Sequence, residues 1–338
     1  SPLSIVSALG MTANGAEGST RAQMEQMMHT DTAALNDYLK AYTDYMPNSE
    51  ACQVNIANSI WFRDRDSLAF LKTSRNYYDA SIFEAPFDAG TRDDINSWVK
   101  KETNGMIQKL LEEAPPRDAV MYLVNALSFD GEWRDIYKKN QIHKGTFNAE
   151  NGEHQSAEFM YSTEAVYLEN TLGRGFLKPY GDGAYAFAAV LPDEGMTMKE
   201  FLERLKENGI TDLLEQTRNK TVCVRLPKFT VEYNVVLNES LTESGMKDAF
   251  DSQKADFSSM AHSDNDNIYI SKVIHKTKID VDEKGTKAGA VTAVEVSEGS
   301  AVQTEEPKEV FLDRPFFYMI IDTRQNFPLF MGCLMQLE

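Results

Sequence analysis

From Thr286 onward, alternate positions carry small or apolar side chains: Thr286, Ala288, Ala290, Thr292, Val294 and Val296 on one parity, against Lys287, Gly289, Val291, Ala293 and Glu295 on the other. Successive strand side chains point to opposite faces, so this spacing writes a strand with one buried and one wet face. The same glycines and small residues suit an exposed loop, and the segment fits two states. On leaving the surface and entering a sheet, each new ladder hydrogen bond would contribute about 1 kcal/mol net, and burial roughly 25 cal/mol per Å². On the alternation alone, an ordinary linker before an edge strand fits as well, since short period-two patterns are common. The wider stretch from Gly285 to about Lys308 is poor in large apolar residues and turns acidic before Val310, which predicts a long exposed loop. Loops beyond about fifteen residues are usually functional or disordered.

Other chemistries find no constellation. The five histidines, His29, His143, His154, His262 and His275, lack metal-ligand spacing. No serine sits in a nucleophile elbow, so the chain is not expected to be an enzyme. Gly181-Asp182-Gly183-Ala184-Tyr185-Ala186 has a dinucleotide-binding spacing but precedes a strand, where that fingerprint needs a helix, and is expected to be a turn. Asp264-Asn265-Asp266-Asn267 lacks the glycine and terminal glutamate of a calcium loop, so a polar loop is expected. No cofactor is expected.

Among the positioning elements, Ser1-Pro2 reads as a helix N-cap followed by proline at the first helical position. Thr91 with Asp94, then Ile95, Trp98 and Val99, predicts an amphipathic helix. Thr197 with Glu200, then Phe201, Leu202 and Leu205 before Gly209, predicts another. Strands are predicted at Val222 to Leu226, Ala184 to Leu191, Phe316 to Asp322 and Leu329 to Leu337. Helices in the first third and strands in the latter half favour α+β over regular βαβ alternation. Without a linker or repeat, residues 1 to 338 read as a single domain. No run of about eighteen apolar residues exists to span a membrane. A formal net charge of −18 should repel nucleic acid, heparin-like polyanions and anionic lipid. Cys52, Cys223 and Cys333 are too few and too far apart for a disulfide framework.

The stretch Lys272-Val273-Ile274-His275 through Glu283, Gly285, Thr286, Ala288 and Ala290 resembles the strand-to-hinge signature of the serpin family. Asn125-Ala126-Leu127-Ser128-Phe129-Asp130-Gly131-Glu132-Trp133 is similar to that family's asparagine-to-tryptophan strand motif, and further matches run in order. They include Ser1-Pro2-Leu3-Ser4, Ala57-Asn58-Ser59-Ile60-Trp61, Leu191-Pro192-Asp193-Glu194-Gly195, Arg225-Leu226-Pro227-Lys228-Phe229 and Pro328-Leu329-Phe330-Met331-Gly332.

The resemblance implies three sheets, eight to nine helices, an exposed reactive-centre loop, and a first helix preceding Ser1. It implies a monomer, secreted or at the cell surface, that inhibits serine proteases through a covalent acyl complex. The protease's serine attacks a loop bond between Glu283 and Glu309, and the cleaved loop enters the central sheet and distorts the protease before the acyl-enzyme hydrolyses. By the same resemblance Glu283 and Gly285 form the hinge base, and Thr286, Ala288 and Ala290 are the first inward-facing residues, small enough to enter without overpacking. Ser4, Asn58, Asn125 and His275 lie where the central strands part, and Trp133 packs beneath the point of insertion. Lys287 departs from the family's usual acid but falls on the outward parity.

The family's spacing puts the scissile bond at Gly299-Ser300, with Val296, Ala301 and Val302 as alternatives. No Lys or Arg lies between Lys287 and Lys308, so a trypsin-like pocket has nothing to bind, and elastase-like or subtilisin-like enzymes fit better. The rival reading is a non-inhibitory relative that carries a ligand or acts as a chaperone. Such relatives often have bulky, charged or proline-containing hinges, which this chain lacks.

Overall fold

The computed structural model describes residues 1–62, 68–115, 121–215, 217–260, 268–286 and 307–337. Among them run the helices α1 (Pro2–Ala13), α2 (Gly18–Met28), α3 (Thr32–Asp44), α4 (Leu68–Tyr78), α5 (Ala89–Glu102), α6 (Met198–Asn208), α7 (Ile210–Glu215) and α8 (Asn238–Glu243). The strands are β1 (Cys52–Phe62), β2 (Ser81–Glu84), β3 (Met121–Glu132), β4 (Ile142–Asn148), β5 (His154–Glu164), β6 (Val166–Glu169), β7 (Gly173–Pro179), β8 (Tyr185–Pro192), β9 (Thr217–Arg218), β10 (Val222–Pro227), β11 (Phe229–Val236), β12 (Ile274–Val281), β13 (Gly285–Thr286), β14 (Lys308–Phe311), β15 (Phe316–Asp322) and β16 (Phe327–Leu334).

They form three sheets, ordered β11-β12-β13-β3-β1-β2, β14-β10-β5-β4 and β16-β15-β8-β7-β6-β9. The α+β expectation of three sheets and eight to nine helices agrees with this architecture. Packing divides the chain into two compact units. One comprises Ser1–Pro47, Val54–Ser128 and Glu232–Lys278; the other comprises Asn48–Gln53, Phe129–Val231 and Ile279–Glu338.

In the first unit, Ile95 and Val99 of α5 bury against Trp61, Phe87 and Val124. The helix begins earlier than its sequence suggests: Asp88 is the N-cap, accepting from the Thr91 amide at 3.0 Å, while Thr91 sits at the third helical position and completes the capping box. Thr91 has the sequence context of a cap, but the Asp88 carboxylate reaches the orphan amide first. Ser1 does cap α1, accepting from the Ser4 amide, with Pro2 beginning the helix where a missing N–H costs nothing.

In the second unit, α6 lays Met198, Phe201 and Leu205 on Ala186, Ala188 and Val190 of β8 and on Phe317 and Met319 of β15. Strand β8 is buried along its whole length, so its sequence is a continuous apolar run without alternation. The last strand starts before its expected Leu329 because β16 is an edge strand, where Pro328 can be accommodated beside a register shift at Ile320/Ile321. Gly181 and Gly183 both have positive φ in the turn before β8, in keeping with a turn rather than a dinucleotide-binding loop.

The α6 cap is reciprocal. Thr197 accepts from the Glu200 amide at 3.2 Å while Glu200 accepts from the Thr197 amide at 3.0 Å. Thr197→Ala is expected to cost about 1 kcal/mol, seen as a lower urea midpoint with unchanged slope.

Candidate functional site

The residues expected to form the hinge, Glu283 to Thr286, lie in the second unit. A tight turn joins β12 to β13: the Asp282 amide donates to the Gly285 carbonyl at 3.0 Å, and the Asp282 carboxylate accepts from the amides of Lys284 at 2.7 Å and Gly285 at 3.1 Å. Strand β13 is two residues long and is paired on both sides. Thr286 faces Val281 of β12, while Gly285 and Thr286 face Glu132 and Gly131 of β3. A Cβ at residue 285 would stand 2.0 Å from the Gly131 carbonyl oxygen, so only glycine fits there. Thr286 is 1% exposed, and its hydroxyl shares a 2.5 Å hydrogen bond with the Tyr180 hydroxyl.

Trp133 stacks on Tyr180, with ring centroids 4.4 Å apart, and its indole N–H donates to the Asp282 carbonyl at 2.8 Å. The amides of Trp133 and Tyr137 donate to the carbonyls of Lys284 and Glu283, at 2.8 and 3.0 Å. The segment 133–137 therefore clamps the turn by backbone and ring together. Outside the turn, Glu283 pairs with Lys228 at 2.8 Å, and Lys228 also reaches Glu158 at 3.1 Å. The hydrogen bond from Lys228 holds the Glu283 carboxyl below its usual range. Burial pulls the Lys228 ammonium down, but the two carboxylates outweigh it and leave it raised.

The first unit contains the other cluster. Ser4 of α1 donates to the Asn125 carbonyl oxygen on β3. The Asn125 amide donates to Asn58 on β1 at 2.8 Å, and the Asn58 amide donates to the Tyr78 carbonyl at 2.7 Å. At the other end of the same residue, the Tyr78 hydroxyl donates separately to Asn36 Oδ1 at 2.6 Å. His275 on β12 instead places its Nε2 within hydrogen-bond distance of the Ser1 nitrogen, at 2.9 Å. Ser4, Asn125 and His275 line a cavity of about 270 Å³, with Leu9, Val124 and Ile274 among its apolar walls.

Of the residues singled out from sequence, Glu283, Gly285, Thr286 and Trp133 thus meet around one turn, and Ser4, Asn58 and Asn125 join one hydrogen-bonded chain. Ala288, Ala290, Val296, Gly299, Ser300, Ala301 and Val302 lie outside the described residues. Tyr180, Tyr78 and Asn36 belong to these clusters without any signal in the sequence, and Lys228 lies in the Arg225-to-Phe229 match with nothing there to pair it with Glu283. Tyr180 stands next to the Gly181 turn with nothing local to mark it; its partner Thr286 is 106 positions away, a pairing no local pattern encodes. Among the described residues, no group of three or more His, Cys, Asp or Glu side chains could hold a metal ion.

Burial holds the His275 imidazole down to about 4. Its folded value is below the usual 6.5, so the unfolded chain binds the extra proton between these limits. Its contribution to stability is complete above about pH 6.5 and declines as pH falls toward about 4. His275→Gln, which cannot titrate, is expected to flatten the loss of urea stability between about pH 6.5 and 4.5 relative to the parent, a difference read from paired unfolding curves.

The family model for "Serpin (serine protease inhibitor)" matches residues 1–337. A serpin-like protein of Thermococcus kodakarensis is 30% identical over 350 residues, spanning 99% of this chain and 79% of that one. The leukocyte elastase inhibitor of Bos taurus is 31% identical over 352 residues, spanning 99% of this chain and 91% of that one. Among solved structures, the thermophilic serpin tengpin in its native state superposes with a TM-score of 0.92 at 46% identity, covering 100% of this chain and 88% of that one. The same protein in its latent state gives a TM-score of 0.88 at 44% identity, covering 100% of this chain and 91% of that one.

Proposed function

Because this chain belongs to the serpin family, we propose that it is a suicide-substrate inhibitor of serine proteases with elastase-like or subtilisin-like specificity. The protease's serine oxygen attacks a carbonyl carbon in the segment between Thr286 and Lys308, and the peptide C–N bond breaks. The new amine leaves with the proton relayed by the protease's histidine, and an ester joins the two proteins. Insertion of the freed segment between β12 and β3 then draws the protease out of its catalytic geometry before water can cleave that ester.

The observation that carries this reading is the seat of Thr286, already paired with both β12 and β3. In the inserted state, continuing the two registers of Thr286 would set Ala288 opposite Phe129 and Ile279, Ala290 opposite Leu127 and Thr277, and Thr292 opposite Asn125 and His275. The small parity would then share the buried face of Thr286. The outward parity would be matched in charge, with Lys287 between Asp130 and Asp280 and Glu295 beside Lys272. Opposite charges facing across strands favour a pairing, and like charges oppose it. The polar chain through Ser4, Asn125 and Asn58 offers neutral donors and acceptors to Thr292 as it arrives.

The target class rests on Gly299-Ser300 and the alternatives Val296, Ala301 and Val302, which are small, and on the absence of Lys or Arg between Lys287 and Lys308. It is supported by the 31% identical relative whose name describes an elastase inhibitor. Mixing the protein with an elastase should give a covalent complex that survives boiling in detergent, seen as a new high-mass band on denaturing gels. Thr286→Arg should leave only cleaved chain and active protease, because the charge would enter the buried face unpaired. The reading fails if the parent itself yields only cleaved chain and active enzyme across elastases and subtilisins.

The charge match makes a separate expectation. Lys287→Glu places three acids side by side in the inserted register and should raise the number of inhibitor molecules consumed per protease several-fold. Lys287→Arg should leave that stoichiometry near the parent value.

A further inference from the structure

We infer that the buried ion pair between Lys178 and Glu164 is a strut that ties the hinge before the reactive segment to strand β14 after it, so that the two anchorages loosen together. Its functional consequence rests on the inhibitory reading above, while its geometry stands on described residues alone. Lys178 lies on β7 with its side chain 1% exposed, and Glu164 ends β5 with its side chain 6% exposed. A charge so deep is costly unless paired and hydrogen-bonded, and well-packed apolar side chains would often be at least as stable there. Stability alone therefore does not account for an ion pair at this depth; what the two charges connect does.

On one side, Lys178 supports the hinge clamp. Its ammonium donates to the Asp135 carbonyl at 3.3 Å and stands 4.4 Å from the Tyr137 ring centroid and 5.4 Å from that of Trp133. These are the residues whose amides and indole hold the carbonyls of Asp282, Glu283 and Lys284. The Lys178 charge thus fixes the back of the clamp, by one hydrogen bond and by cation–π attraction to two rings.

On the other side, Glu164 accepts from Lys178 at 2.8 Å and from the Ser162 hydroxyl at 2.6 Å. Glu164 is paired in register with Val222 of β10, and Val222 is paired with Lys308, the first residue of β14. The Lys308 amide adds a bond to the Thr221 carbonyl at 3.1 Å. Two cross-strand steps therefore separate Glu164 from Lys308, the first residue of β14. A shift of Trp133 or Asp135 that moves Lys178 must move Glu164 or leave one of the two charges buried without its partner. That penalty is the physical form of the coupling, and it acts in both directions.

The test uses Lys178→Met/Glu164→Leu, which removes both charges together and leaves neither orphaned, in the whole chain. Lys178→Met alone would strand the Glu164 carboxylate and is the variant at risk of not folding. Hydrogen–deuterium exchange is followed in peptides covering Asp282 to Thr286 and Lys308 to Phe311, with β8 as the internal reference. Exchange in both segments is expected to rise together, roughly tenfold, equivalent to about 1.4 kcal/mol of local stability, with β8 unchanged. The strut is overturned if the double variant leaves either segment at the parent rate, or if β8 rises with them. A parent that inhibits no protease would sink the inhibitory reading without touching this measurement. With inhibition intact, the double variant should also lose activity on storage several-fold faster than the parent without being cleaved.

Discussion

Two residues occupy a place in the central sheet where a full strand could run. Gly285 passes so close to the Gly131 carbonyl that any side chain would collide, and Thr286 drops its hydroxyl onto Tyr180 in the interior. Gly285 pairs with β3 and Thr286 with both β3 and β12, so on the inhibitory reading proposed above this turn is the start of a sheet insertion held at its first step. The aromatic stack of Trp133 on Tyr180, the amides of residues 133 and 137, and the Glu283–Lys228 pair all converge on keeping that step in register. Their number reflects a physical demand: a strand only two residues long gains little from its own ladder and must be fixed by its surroundings.

The two clusters are built from different materials for different tasks. Around the turn, charge and aromatic stacking dominate, giving fixed distances and directional hold. In the first unit, the cluster of Ser4, Asn125, Asn58, Tyr78 and Asn36 is made of amides and hydroxyls. Neutral groups that both donate and accept can exchange one partner for another without exposing a bare charge, at a cost of about 1–3 kcal/mol while a bond is broken. On the inhibitory reading proposed above, hydroxyl and amide groups suit a place where strands separate and pair again, whereas a salt bridge there would resist the change.

Much of the fold was legible because it depends on local rules. Caps at Ser1 and Thr197, alternation at Val222 to Leu226 and the apolar run of β8 each encode their element within a few residues. Where sequence and structure differ, a neighbour decided. Asp88 took the cap from Thr91 because its carboxylate reached the amide, and β16 extended through Pro328 because an edge strand does not need every N–H. Gly285 and Thr286 open a run in which small side chains recur at every second position, and the described residues follow that run only as far as Thr286.

What the amino-acid order determined by itself is therefore the set of elements and the family, both of which rest on spacing along one chain. Tertiary structure alone decided which side chains meet. Tyr180 lies beneath Thr286, Lys228 holds Glu283, and Lys178 and Glu164 bury an ion pair behind the clamp. These contacts join positions between 14 and 106 residues apart. No periodicity carries such pairings, because they follow from how strands are ordered in a sheet, and that order is fixed only when the apolar faces have packed.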